Sequence, residues 1–204
     1  MLVMGALVFT NFFGLSAAGY SVLVGVVFFF VDQGRGPTEN SGLEIKRTGK
    51  DLANGSVWVW IAMPAVMNLI CMGLAKAVMP DFIGHVLART GRFLTFRQWP
   101  LLAAQLIVSA LGEEIAWRAF FQRQLTKAFP APAAILATSA LFALGHLSGG
   151  AVPVVAYDLI FVAANSVFYG MVFHKTNNAW VSALSHWIAN GVGILFLFAF
   201  AAES

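Results

Sequence analysis

The chain has 204 residues, 59% hydrophobic and only 10% charged, against roughly a quarter charged in a soluble domain, so a water-soluble enzyme is excluded. Its formal charge of +3 and pI near 9.3 come from twelve Lys and Arg scattered through short polar stretches, which points to membrane topology and away from nucleic acid. The single cysteine, Cys71, lies in an apolar run, cannot form an intrachain disulfide, and is read as packing.

The apolar runs are long and continuous instead of alternating over about ten residues, which selects helices over outer-membrane strands. Residues 1–31 form an expected first span, retained because it has neither a basic leader nor a small-residue cleavage site. Residues 32–56 are polar, with Gly and Pro punctuation, and read as a loop. A second span is expected over 57–79, ended by Pro80. Residues 81–100 mix Arg89, Arg92 and Arg97 with Phe82, Val86 and Leu87, the pattern of an interfacial amphipathic segment, although an ordinary connecting loop fits nearly as well.

The third span, 101–122, carries a charged motif in its second half, and a short connection leads to Pro130-Ala131-Pro132, which opens a fourth span up to about Ser148. Gly149 and Gly150 break the chain before a fifth span at 151–173, and a turn at 174–178 leads to the sixth, 179–202. The expectation is an all-α polytopic bundle of about six spans, a single transmembrane domain over 1–204 with its motif-bearing core at about 101–202. Loops after the odd spans hold Arg35, Lys46, Arg47, Lys50, Arg123, Lys127 and Lys175, seven cations against Lys76, Arg89, Arg92 and Arg97 opposite, so the odd-loop side is expected to be cytoplasmic.

The third span places Glu113, Glu114 and Arg118 in an apolar helix. Three ionised residues would cost about 7–10 kcal/mol at full depth, against about 3–5 kcal/mol returned by the surrounding apolar side chains, so this helix needs polar partners from other spans. Residues four apart share a helix face while neighbours diverge by about 100°, so Glu114 and Arg118 can pair and Glu113 stays free. An unpaired carboxylate in such a setting suits a general acid or base; a buried ion-pair network without chemistry explains this helix alone equally well.

The fourth span supplies Phe142 and His146, and the sixth supplies His186 and Asn190, each pair four apart. A lone membrane histidine is more often a structural hydrogen-bonding group, but two histidines and an asparagine facing a Glu-Glu-x-x-x-Arg helix are less easily dismissed. Counted from the odd-loop side at about 1.5 Å per residue, Glu113 lies roughly 16 Å deep, His146 roughly 22 Å, His186 roughly 12 Å and Asn190 roughly 18 Å, a middle band of a core about 30 Å thick. They can share one polar cavity. The residue types then suggest a chemistry in which Glu113, aided by His146, deprotonates water while His186 and Asn190 donate to the oxyanion formed at a carbonyl.

Glu113-Glu114-x-x-x-Arg118, Phe142-x-x-x-His146 and His186-x-x-x-Asn190, in that order on three spans, resemble the motif set of the CPBP family of intramembrane endopeptidases (CAAX proteases, bacteriocin-processing and Abi proteins). The similarity runs from about Leu101 to Val192 and includes the approach from Tyr169-Gly170 to Trp180; the first hundred residues carry no family motif. The resemblance implies a glutamate-type intramembrane protease in which Glu113 and His146 activate water, His186 and Asn190 form the oxyanion hole, and Glu114, Arg118 and Phe142 support them. It also implies a peptide or lipidated-peptide substrate, contact with membrane lipid, no nucleic-acid partner, and residence in a bacterial cytoplasmic membrane.

Zinc is the mechanistic rival, since a Glu and two His could hold it with an open position. No His-Glu-x-x-His helix is present, and Asn190 suits an oxyanion better than zinc, so the expectation is no cofactor and no metal. Two other classes compete: a non-catalytic membrane scaffold or bacteriocin immunity protein that keeps the polar core for folding, and a proton-coupled carrier using Glu113, His146 and Asp158. A carrier should show a repeated or inverted half, and none is visible. Asn11 and Asn68 read as interhelical hydrogen-bond donors, Asp158 and Asn165 as cavity candidates outside the motifs, and His85 and His174 as interfacial. A Ser-His protease starting from Gly14-Leu15-Ser16 is weaker than small-residue helix packing there, and no Gly-x-Ser-x-Gly elbow occurs.

Overall fold

The computed structural model describes residues 17–36, 41–91 and 94–201; Asn11, Ser16, most of the expected first span, Arg92 and Phe93 lie outside them. Among the described residues all regular structure is helical, and the expected all-α bundle forms. The helices are α1 (Ala17–Arg35), α2 (Thr48–Ala53), α3 (Gly55–Val78), α4 (Phe82–Thr90), α5 (Trp99–Glu114), α6 (Ala131–Gly145), α7 (Val152–Thr176) and α8 (Ala179–Ala201). Helix α5 runs without a break into a π-helix, Ile115–Gln122, and a last α-turn, Arg123–Leu125. Pro falls in the first turn of α5, α6 and α7, where the missing N–H has no helical acceptor to lose.

By length and composition α3, α7 and the stretch Ala179–Phe200 of α8 can each cross a membrane. Helix α6 is apolar but only 15 residues long, so the expected fourth span stops at Gly145 and leaves His146 as its C-cap. The polar stretch 32–56 is more ordered than expected: α1 extends to Arg35, and a 3-10 turn, Ile45–Arg47, leads into α2. In segment 81–100 an amphipathic helix, α4, forms. Phe82 and Val86 of α4 are buried with Cys71, Met72 and Val154, so α4 leans into the bundle.

Helix α8 sits at the centre, packed against α3, α5 and α7, while α6 packs on α7 and α1 lies along the π-helix. Every residue of the π-helix is buried, and Trp117, Phe120 and Phe121 join Phe29, Phe142 and Phe173 in one aromatic core. Close approach at the π-helix, α6 and α7 depends on Gly170, where an added Cβ would lie 2.8 Å from Gln122 Oε1 and 3.0 Å from Ile135 Cγ2. Pro64 stands inside α3, and beside it the Ser185 hydroxyl donates to Ile61 O at 2.9 Å, the kind of side-chain repair that lets a membrane helix hold a proline.

The segment before α3 is tied to the α7–α8 turn. Asn177 adopts a left-handed conformation (φ 45°) that ends α7, and the next residue, Asn178, is fully buried. Asn178 Nδ2 donates to Glu44 O (3.0 Å) and Asp51 Oδ2 (2.8 Å), and its Oδ1 accepts from the Glu44 and Trp180 amides (3.3 and 3.2 Å).

Candidate active site

Glu114 anchors the site. It is fully buried and ion-paired with Arg118, Nη1 to Oε1 at 3.2 Å, the pairing expected four residues apart. The same Oε1 accepts from His186 Nδ1 at 2.9 Å, and Oε2 accepts from the Ser182 hydroxyl. Arg118 in turn donates to Ser166 O (3.0 Å) and Ser166 Oγ (2.8 Å) and lies between the rings of Phe142 and Tyr169, 4.8 and 5.4 Å from their centroids. A buried charge pair is costly unless other groups bond it, and here Ser166 of α7 holds Arg118 while Ser182 and His186 of α8 hold Glu114.

This network fixes His186. Tyr169 stacks on the imidazole at 4.3 Å between centroids and 19° between planes. Because Nδ1–H is given to Glu114, Nε2 is the nitrogen left for chemistry, and it lies 3.9 Å from Glu113 Oε2, too far for a hydrogen bond. Glu113 itself makes no hydrogen bond among the described residues, and its Oε2 is buried. Helical geometry thus separates adjacent carboxylates into a saturated one and a free one.

His146 is held differently. With α6 ending at Gly145, its ring turns back and Nδ1 meets Phe142 O at 2.8 Å, capping an otherwise open helix carbonyl and leaving Nε2 unspent. His146, His186 and Asn190 line one cavity of about 170 Å³ together with Phe142 and Tyr169. Asn190 makes no hydrogen bond among the described residues, so its amide is available. All seven motif side chains therefore gather in one region, but Glu113 approaches His186 and not His146, with which it forms no ion pair. Among the described residues no three His, Cys, Asp or Glu are grouped as a metal site.

Several contributors escaped the sequence reading. Ser182 was detectable in principle, because 182, 186 and 190 form one stripe of α8 at four-residue spacing. Ser166 had no such signal. His85, expected at the interface, is buried: its Nε2 lies 3.4 Å from Asp158 Oδ2 and 3.3 Å from Ser148 Oγ. Arg89, counted for topology, pairs with the same Asp158, Nε to Oδ2 at 3.0 Å and Nη2 to Oδ1 at 3.2 Å. Asp158 and Asn165 both line the cavity, and Asn68 joins them, accepting from Asn165 Nδ2 (2.6 Å) and donating to Ala189 O (2.7 Å).

Comparison with curated proteins and with solved structures gives no match. The family model described as Type II CAAX prenyl endopeptidase Rce1-like matches residues 95–192, which includes every motif residue from Glu113 to Asn190 and leaves out α1 to α4. Over that motif-bearing part, just under half of its length, this integral membrane protein is similar to the Rce1-like CAAX endopeptidases.

Proposed function

We propose that the protein is a CAAX-type intramembrane endopeptidase that hydrolyses a peptide bond with Glu113 as the base. One observation carries the reading: a carboxylate with an unpaired buried oxygen, Glu113, stands 3.9 Å from His186 Nε2, and His186, His146 and Asn190 line one cavity. Glu114, by contrast, is saturated by Arg118, His186 and Ser182, as a scaffold would require. Glu113 and Asn190 make no hydrogen bond among the described residues, and each histidine spends only its Nδ1, so these groups keep polar atoms for a substrate and a water.

In the reaction Glu113, with His146 Nε2 ordering the water, takes a proton as the water oxygen attacks the scissile carbonyl. The oxyanion is bound by the Asn190 amide and by His186 Nε2. To donate from Nε2 while Nδ1–H stays on Glu114, His186 acts as the imidazolium, flanked by the carboxylates of Glu113 and Glu114. Collapse of the intermediate breaks the C–N bond, and Glu113 returns its proton to the leaving amine. No metal enters this scheme; zinc would need Glu113 and the histidines as ligands, and Asn190 would have no part in holding it.

The test is cleavage of a fluorogenic peptide library, with and without a prenyl group, by the purified protein in detergent. Loss of cleavage in Glu113→Gln and in His146→Ala, with indifference to a strong chelator, is the expected result. Full activity of Glu113→Gln would sink the reading, and loss on chelation would replace it with a metal mechanism.

A further inference from the structure

The cavity reaches beyond the proposed catalytic groups. Part of its lining comes from α4 and α7, with Arg89 and Asp158 among apolar side chains such as Val86 and Phe161. Arg89 is the cationic side chain lining it; Arg118, the other candidate, is wholly buried behind Phe142 and Tyr169. Asp158 engages Arg89 side-on, through Nε and Nη2, so the second terminal nitrogen, Nη1, has no partner among the described residues. The Arg89 side chain is 20% exposed against 5% for Asp158, so the guanidinium is the accessible half of the pair. Asp158 also has His85 as a neighbour, Nε2 to Oδ2 at 3.4 Å.

We propose that Arg89 is the cavity's receptor for a carboxylate of the peptide substrate, the main-chain carboxyl terminus or an acidic side chain. The inference rests on the peptidase reading and adds a specificity element to it. A carboxylate at membrane depth must meet a fixed cation, and a guanidinium with spare N–H groups answers that need with directional bonds. The Arg89 wall and the His186 wall belong to one cavity of about 170 Å³, so a peptide anchored at Arg89 is cut only a short way from that carboxylate.

Binding is the first test, in the non-cleaving Glu113→Gln background, in detergent, by fluorescence anisotropy. The probes are dansyl-tetraleucine as the free acid, the same peptide as its C-terminal amide, and dansyl-trileucyl-glutamate carrying its only carboxylate on the side chain. A preference of about 10- to 100-fold for a carboxylate-bearing peptide over the amide is expected, the range of a charge-assisted hydrogen bond. Which acid is preferred identifies the source. Arg89→Gln should reduce the ratio to about threefold or less without weakening the amide, and Arg89→Gln with Asp158→Asn, which strands no carboxylate, should do the same. Equal binding of all three probes, no binding, or a preference that survives both variants overturns the proposal. The peptidase reading fails on a different result, namely cleavage by Glu113→Gln.

Discussion

Glu113 and Glu114 are neighbours on one helix, and their replacement by Gln should give opposite phenotypes. Glu114→Gln removes the countercharge of Arg118 and turns one of the two acceptors that serve His186 Nδ1–H and the Ser182 hydroxyl into a donor, inside the bundle. Stranding one member of a buried ion pair costs about 3–5 kcal/mol. Arg118 keeps its two bonds to Ser166, so the lower part of that range, about 3–4 kcal/mol, is expected. For a chain of this size each kcal/mol lowers Tm by about 2–4 °C, giving a fall of roughly 6–16 °C in detergent. Glu113→Gln breaks no hydrogen bond among the described residues and replaces an unpaired carboxylate by a neutral amide of the same shape, so Tm should stay within about 2 °C or rise. Its peptidase rate should nevertheless fall by at least about 10²-fold, the lower bound for loss of a general base. Thermal unfolding followed by tryptophan fluorescence, beside peptide cleavage, measures both. A Glu113→Gln protein as unstable as Glu114→Gln, or a Glu114→Gln protein of unchanged Tm, would refute the division of labour.

Other outcomes follow from the packing. Gly170→Ala should cost about 1–3 kcal/mol by overpacking, because the new methyl meets Gln122 and Ile135, whereas Gly73→Ala, with nothing within 4 Å, should leave Tm unchanged. Asn178→Ala removes hydrogen bonds to Glu44 and Asp51 worth about 1 kcal/mol each, and limited trypsin digestion at Lys46, Arg47 and Lys50 should accelerate. His146→Ala should abolish cleavage while moving Tm little, since the ring makes a single bond, to the Phe142 carbonyl.

The pairing of Glu114 with Arg118 and the freedom of Glu113 were legible because both follow from helical angles within one segment. The meeting of His146, His186 and Asn190 was legible more coarsely, from depth alone. The π-helix at Ile115–Gln122 was not, since hydropathy does not register a change from i→i−4 to wider hydrogen bonding. Equally hidden was the end of α6 at Gly145: 131–148 is predominantly apolar with no break at Gly145, and only the backbone shows that His146 caps a helix instead of continuing it. Arg89 and Asp158 stand 69 residues apart, and local pattern carries no signal for such a contact; Arg89 alone looked like an interfacial charge and Asp158 like a cavity residue without a partner. The Asn178 hub was invisible for the same reason, its main partners lying 127 to 134 residues away.

The brevity of α6 bears on how the nucleophile arrives. Fifteen helical residues rise only about 22 Å, well short of a hydrocarbon slab about 30 Å thick. Beyond Gly145 the wall is irregular chain, with Gly149 and Gly150 exposed, and His146 stands at its edge on the cavity. Hydrolysis consumes one water per bond cut, and a full-length apolar helix here would make its delivery a permeation problem. With the helix truncated, the proposed water-ordering histidine stands next to irregular chain and not inside an apolar helix, which shortens the apolar path that a water has to cross.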